Sequence, residues 1–375
     1  MKVAVIGTVA SSILGFRRDF INSLIAQGHQ VYAFAVDYTD ETRQKGIDLG
    51  VVPVDYPFNR TGMNPVHDIR NTFKLAKQLK AIKPDLVFSY FVKPVIFGTF
   101  AAKLAGVERR VAMLEGLGFI FTDQPEGLSG KTRLLRQVQV LLYRLSFPLL
   151  GKIIFLNPDD SKDLVTKYNL KVNRVEVLGG IGLDLAQYHY VKPDVNKLSF
   201  LFVGRLLKEK GINEFIAAVK IVKQQYPEVT FTVLGGLDEG NPGGLKAAEL
   251  SRLTESGVID YPGHVTNVAE RIAQCSVFVL PSYYREGVPR STQEAMAIGR
   301  PVITTDVPGC RETVIDGVNG FMVPPWQPQA LADKMIYFIK HPEQIEPMGL
   351  ESYKLAQQKF DAAKVNQKLL KLLGL

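Results

Sequence analysis

The sequence predicts an α/β protein made of two doubly wound parallel-sheet domains that face one another across a cleft. Three observations carry this expectation. At 375 residues the chain is longer than one hydrophobic core usually supports. Short runs that are apolar throughout, as strands buried on both faces of a parallel sheet must be, alternate with helix-length stretches. The alternation then halts at a polar, proline-bearing stretch and starts again.

The first series of strands reads KVAVIG, QVYAFAV, DLVFSYF, RRVAMLEG, KIIFLN and RVEVLGG, with helical stretches such as 16–27, 67–82 and 95–105 between them. The second reads LSFLFVGR, VTFTVLGG, VIDYPG, VFVLPS, PVITTD and NGFMVP. Between the series lies HYVKPDVNK at 189–197, the expected linker, which sets the domains at 1–190 and 197–351. Ligands of such sheets bind at the carboxyl ends of the strands, so the residues just after each strand matter most.

Composition narrows the class. Hydrophobic residues at 46% and charged residues at 22% exclude a disordered chain. The two cysteines, Cys275 and Cys310, form no C-x-x-C, which argues against a disulfide framework or zinc site and for a reducing compartment. A net charge of +8 is either a scattered solvated surface or the mark of an anionic partner, a nucleotide or an acidic lipid surface. No nucleic-acid-binding signature accompanies it, so nucleic acid is not expected. MKVAVIGTVASSILGF reads as a strand leading into a helix rather than as a signal peptide. The most apolar stretch, 138–156, is broken by Arg144, Pro148 and Lys152, so no membrane span is predicted.

Chemistry-bearing residues follow the strands. Gly7 ends the first strand without a G-x-G-x-x-G, and only Asp37 comes near the ribose-reading position, which disfavours a nicotinamide enzyme. Gly7 is either a turn beneath a ligand or a purely structural glycine. In FLFVGRLLKEKGINEF, Gly204 turns after a strand, and Arg205 and Lys210 flank the excursion before a helix near Gly211. A guanidinium and an ammonium beside a helix N-terminus suit a diphosphate. Gly235 in FTVLGG and Val265 in GHV (263–265) are weaker candidates to meet a base or ribose. YYREGVPRSTQEAMAIG places Glu286 at the lip of a loop and Glu294 one turn inside a helix starting near Arg290–Ser291 and stopping at Gly299. Free amides of 287–292 would face an anion. The two carboxylates suit sugar and ribose hydroxyls; Glu294 alone could equally serve the helix dipole.

GRLLKEKG, EGVPRSTQEAMAIGRPVI and GVNGFMVPP together resemble the family-4 retaining glycosyltransferases of the GT-B fold, through E-x7-E at Glu286 and Glu294 and G-R…K-G at Gly204, Arg205, Lys210 and Gly211. The resemblance implies that Arg205 and Lys210 hold the nucleotide diphosphate and, with Glu286, do the chemistry. Gly204, Gly235, Val265, Ser291, Thr292 and Glu294 would hold the nucleotide. Gly7, Glu115, Gly287, Val288 and Pro289 would meet the donor sugar. A final helix, about 352–375, would return to the first domain. Many members carry a histidine where MLEGLGFIFTD has Glu115, which is either an acceptor-hydroxyl binder or a structural carboxylate. A narrower bacterial branch, adding N-acetylgalactosamine or a similar hexose from a UDP-sugar to a saccharide on undecaprenyl diphosphate, is also similar. That implies a cytoplasmic enzyme, peripheral on the inner face of the membrane.

A lipid-borne acceptor accords with the basic balance. KTRLLRQVQVLLYRLSFPLLGK, 131–152, interleaves Lys131, Arg133, Arg136, Arg144 and Lys152 with leucines. It is either a core helix with a solvated basic edge or a face on an anionic leaflet, where each cation contributes about 1 kcal/mol. Arg17, Arg18, Arg109 and Arg110 are expected to join that face or bind the acceptor diphosphate. No D-x-D occurs, so neither metal nor other cofactor is expected. Alternatives remain: another donor (UDP-glucose, UDP-galactose or GDP-mannose) on a soluble acceptor, an epimerase or phosphorylase, or a non-catalytic nucleotide-sugar binder.

Overall fold

The computed structural model describes residues 1–58, 65–238, 240–241, 243–263 and 265–375; His264 of the GHV stretch therefore lies outside the described residues. The chain divides into two compact units. Unit 1 comprises Met1–Ile120, Ser129–Ile181 and Ala362–Leu375; unit 2 comprises Phe121–Leu128 and Gly182–Asp361.

Unit 1 carries strands β1 (Lys2–Ile6), β2 (Gln30–Ala35), β3 (Val52–Asp55), β4 (Leu86–Tyr90), β5 (Arg109–Leu114), β6 (Lys152–Phe155) and β7 (Val175–Val177). They form one sheet in the order β3-β2-β1-β4-β5-β6-β7, every pair parallel. β4 is buried along its whole length, which is why it reads as an unbroken apolar run. β3 is the strand the sequence hid: it lies at the sheet edge, where Pro53 costs no ladder bond and the burial alternation is weak. Helices α1 (Ala10–Leu14), α2 (Arg18–Ala26), α3 (Asp40–Asp48), α4 (Pro65–Ile82), α5 (Thr99–Leu104), α6 (Gly130–Ser146) and α7 (Pro158–Ser161) connect them. Leu75 and Leu79 of α4 and Ala101 and Ala102 of α5 pack on Ala4, Ile6, Phe34 and Val87 of the sheet in one core cluster.

Unit 2 repeats the plan with β8 (Ser199–Val203), β9 (Thr230–Leu234), β10 (Val277–Leu280), β11 (Val302–Thr305) and β12 (Gly320–Val323), in the order β12-β11-β10-β8-β9, again parallel throughout. VIDYPG forms no strand among the described residues, only a bridge from Asp260 to Thr232. The helices are α8 (Ile212–Lys223), α9 (Ala247–Glu255), α10 (Val268–Gln274), α11 (Arg290–Ile298), α12 (Pro328–Lys340) and α13 (Ile345–Lys359). Phe200, Phe215 and Phe231 build an aromatic core between β8, β9 and α8, with the Phe200 and Phe231 rings stacked at 5.3 Å.

The division differs from the expectation in three places. The chain leaves unit 1 at Ile181, and 189–197, expected as a linker, belongs to unit 2. The buried Arg300 guanidinium takes the carbonyls of Val191 and Cys275, and Val191 donates to Ile298, so a polar composition conceals a docked segment. Residues 121–128 also belong to unit 2, where the Arg285 amide donates to Thr122 Oγ1 at 3.0 Å. The expected returning helix at 352–375 is two helices broken at Phe360–Asp361. α13 stays with unit 2 through Ser352 and Asn319, and only α14 (Ala362–Leu373) belongs to unit 1. No helix among the described residues is long and apolar enough to cross a membrane.

Candidate active site

In unit 2 the strand order reverses between β8 and β10, which lie side by side. Loops leaving a parallel sheet at such a point diverge and open a crevice. Arg205, Lys210, Glu286 and Glu294, singled out by sequence, follow these two strands; Gly235 follows β9.

The excursion after β8 closes in a short turn, Lys208–Lys210, ended by Gly211 at φ 78°. A Cβ on Gly211 would overlap the Pro281 carbonyl oxygen, so the left-handed residue is also the point of closest approach to the β10 exit. The amides of Tyr283 and Tyr284 both donate to the Glu209 carbonyl at 2.9 Å, lashing the two loops together. This brings Lys210 Nζ to 2.5 Å from Glu286 Oε2, with both side chains about 15% exposed. Ser282 Oγ donates to the other carboxylate oxygen at 2.9 Å. Lys210 and Glu286 are thus joined as a mostly buried pair, although 76 residues separate them in sequence (286 − 210).

Arg205 is different. It leaves the same strand but stands about half exposed, 3.8 Å from Asp238. Such an exposed pair is worth only about 0–1 kcal/mol and yields readily to a stronger anion. Gly204 donates to the Leu234 carbonyl at 3.0 Å and Gly235 rests on Gly204, so the exits of β8 and β9 meet backbone to backbone. Val265 stands partly exposed in the loop beyond.

α11 begins after Pro289 with no side-chain cap and no acidic residue in its first turn. Its first amides therefore lack a side-chain acceptor, at the positive end of the helix dipole. Ser291 Oγ donates to the Val203 carbonyl at 3.1 Å, holding that end against β8. Thr292 is fully buried, main chain and side chain alike. Gly287, Val288 and Pro289 are buried as well, and the carbonyls of Val288 and Pro289 accept from Gln293. Glu294 Oε1 accepts from Arg290 Nε at 2.9 Å and from the Tyr188 hydroxyl at 3.0 Å. The Tyr188 hydroxyl is pushed up to about 12, first by burial and then by Glu294. Sequence reasoning missed both partners. The i,i+4 spacing of Arg290 to Glu294 was a usable signal; Tyr188, 106 residues away, gave none.

Unit 1 reverses its strand order between β1 and β4. Glu115, just after β5, is ion-paired with Arg17, whose side chain is 1% exposed and lies 5.0 Å over the Tyr90 ring. Arg17 is therefore not membrane-facing: its charge is committed to Glu115 inside the unit. Gly7 is structural rather than sugar-binding. It is buried, the Tyr56 hydroxyl takes its carbonyl, its amide donates to Phe34, and a Cβ would overlap the Tyr90 hydroxyl. Asp37 accepts from the Ala10 amide and so serves α1.

The remaining cations separate. Arg109 donates to the carbonyls of Leu373 and Gly374, Arg110 to those of Leu149 and Val107, and Lys152 to that of Leu372. All three stand where β5 and β6 begin, at the edge opposite the ligand-binding edge, so the expectation that they meet a membrane or acceptor is corrected. Arg18 is exposed on α2, lining a hollow of about 520 Å³ with Asn22, Lys45 and Asp48. Arg133 is exposed on α6, whereas Arg136 is turned onto the Ile120 carbonyl at 2.8 Å.

Comparison with known proteins identifies the family. Residues 18–180 match the family described as Glycosyltransferase Family 4 and residues 191–355 match Glycosyl transferases group 1. The chain is 31% identical, over 99% of its length and 98% of the relative's, to the N,N'-diacetylbacillosaminyl-diphospho-undecaprenol alpha-1,3-N-acetylgalactosaminyltransferase of Campylobacter jejuni. It is 26% identical to the UDP-Gal:alpha-D-GlcNAc-diphosphoundecaprenol alpha-1,3-galactosyltransferase of Escherichia coli, over 69% of this chain and 67% of that one. The fold is shared with Anabaena HepE crystallised with UDP-glucose, at a TM-score of 0.79 and 19% identity, covering 100% of this chain and 99% of that one. With its two parallel-sheet, Rossmann-like units, the chain belongs to the family-4 glycosyltransferases of the GT-B fold.

Proposed function

We propose that this glycosyltransferase moves N-acetylgalactosamine from UDP-N-acetylgalactosamine, with retention and without a metal ion, to a saccharide carried on polyprenyl diphosphate at a membrane surface. The Lys210–Glu286 pair carries the reading: it fixes an ammonium and a sugar-binding carboxylate at one point of the unit 2 switch. The relatives, whose names describe undecaprenyl-diphosphate-linked acceptors, support the choice of substrates.

The nucleotide would lie along the unit 2 edge, its base near Gly235 and Val265 and its ribose on Glu294, oriented by Arg290 and Tyr188. The diphosphate would meet Lys210, Arg205 swung from Asp238, and the uncapped amides of α11. Glu286, released as Lys210 turns to phosphate, would accept hydroxyl protons of the sugar. As the C1–oxygen bond breaks, charge accumulates on the departing diphosphate, where preorganised cations and dipoles act most strongly. The acceptor hydroxyl attacks C1 from the face the diphosphate leaves, and its proton passes to a diphosphate oxygen. In unit 1, Glu115, held by Arg17, would accept a hydrogen bond from an acceptor hydroxyl.

The test is product analysis with a panel of UDP- and GDP-sugars on a polyprenyl-diphosphate saccharide. The expected result is transfer from UDP-N-acetylgalactosamine giving an α-linked product, at an unchanged rate in EDTA. Transfer from GDP-mannose alone, a β-linked product, or a strict magnesium requirement would contradict it.

A further inference from the structure

α4, α5 and α6 lie together on one side of the unit 1 sheet, α4 against α5 and α6 against the turn that leads into α5. Their inner sides fill the core; their outer sides are unlike the rest of the surface. Leu134, Val138, Leu141 and Leu145 recur along α6 at the spacing of one helical face, and all are exposed. Ile69 and Phe73 repeat the pattern on α4. Five of these six, all but Val138, keep more than half of their surface in solvent. Between the helices opens a hollow of about 360 Å³, walled by Phe97, Phe100, Leu142 and Leu149, with Lys103 at its lip. Contiguous exposed apolar surface of this kind marks a site that something covers.

The charge around it says what. The exposed cations are Arg70, Lys74, Lys77 and Lys80 on α4, Lys103 on α5, and Lys131, Arg133 and Arg144 on α6. The three helices carry a single acid, Asp68, buried and paired with Lys93 at 3.3 Å. Apolar stripes flanked by cations, with no exposed acid, complement an anionic surface with an apolar interior. A second copy of this face would bring like charge against like charge and is disfavoured.

We propose that the outer face of α4, α5 and α6 is a docking surface for an anionic lipid leaflet, with the leucine stripe of α6 and Ile69 and Phe73 of α4 set among the acyl chains and the hollow beside Lys103 taking one of them. The choice of partner rests on the lipid-borne acceptor proposed above; the surface itself does not. Part of the cation set expected from sequence falls away, since Arg17, Arg109, Arg110, Arg136 and Lys152 are spent inside unit 1, and α4 and α5 enter in their place.

Flotation with vesicles tests it, using phosphatidylcholine with and without phosphatidylglycerol. Wild-type protein floats with the anionic vesicles and far less with the neutral ones. L141E/L145E and, separately, K131E/R133E each lose at least about tenfold of that partitioning, while transfer to a water-soluble short-chain acceptor is unchanged. Variants that float as well as wild type overturn the proposal. So does wild-type sedimentation as a dimer that the leucine variant splits without losing vesicle binding, or wild-type capture by an acidic protein but not by vesicles. Failure of soluble-acceptor transfer by the wild type, with vesicle binding intact, overturns the functional reading and leaves the surface standing.

Discussion

The two sheets reverse strand order in the same way, yet they arm the reversal differently. At the unit 1 edge Arg17 is buried, stacked on Tyr90 and ion-paired with Glu115. At the unit 2 edge Arg205 is half exposed on a weak surface pair, Lys210 is held by Glu286, and α11 presents an uncapped N-terminus. The first edge commits its arginine to an internal ion pair, whereas the second leaves Arg205 half exposed beside the uncapped N-terminus of α11. The basic excess of unit 1 lies instead on its outer helices.

Substitutions sharpen this contrast, since one edge should report through turnover and the other through stability. The largest effect is expected from K210A, with turnover falling about 10³-fold, followed by R205A at about 10²-fold, the latter with an unchanged thermal melt. Near-normal rates in both would remove the functional half of the comparison. R17M should instead lower stability by about 3 kcal/mol in a urea melt, because Glu115 is left buried and unpaired. A melt shifted no more than that of R205A would mean the two edges do not differ as described. G211A forces a left-handed backbone and a clash with the Pro281 carbonyl, so about 2 kcal/mol of stability should go, with turnover falling alongside. Smallest is Y188F, a loss of about 1 kcal/mol in UDP affinity by calorimetry.

Tyr188 also sets a pH expectation. Its hydroxyl is raised from 10 to about 12 in the fold, so the unfolded chain ionises first as pH rises. Its stabilising contribution is complete below pH 10 and is lost on approaching 12. Comparing alkaline melts of Y188F and wild type isolates that share; identical decline in both would contradict it.

Much of unit 2 was legible in the sequence because its chemistry is written in short stretches. Gly204 to Gly211 and Glu286 to Glu294 each lie within one loop and the start of one helix, where strand ends, turn glycines and helix starts are local signals. Unit 1 was less legible because its pairings are long-range: Arg17 and Glu115 are 98 residues apart, and nothing near either announces the other. Arg109 looked like a free cation for the same reason, since its carbonyl partners are the chain's last residues but one and two. The segment 189–197 looked like a linker because polar composition does not reveal that Arg300 has captured its backbone.

The central claim is that Arg205 and Lys210 recognise a diphosphate, and calorimetric titration of UDP against UMP tests it most directly. Wild-type protein should prefer UDP strongly, and R205A/K210A should bind the two nucleotides about equally. A double variant that still favours UDP as the wild type does would show that the diphosphate is held elsewhere.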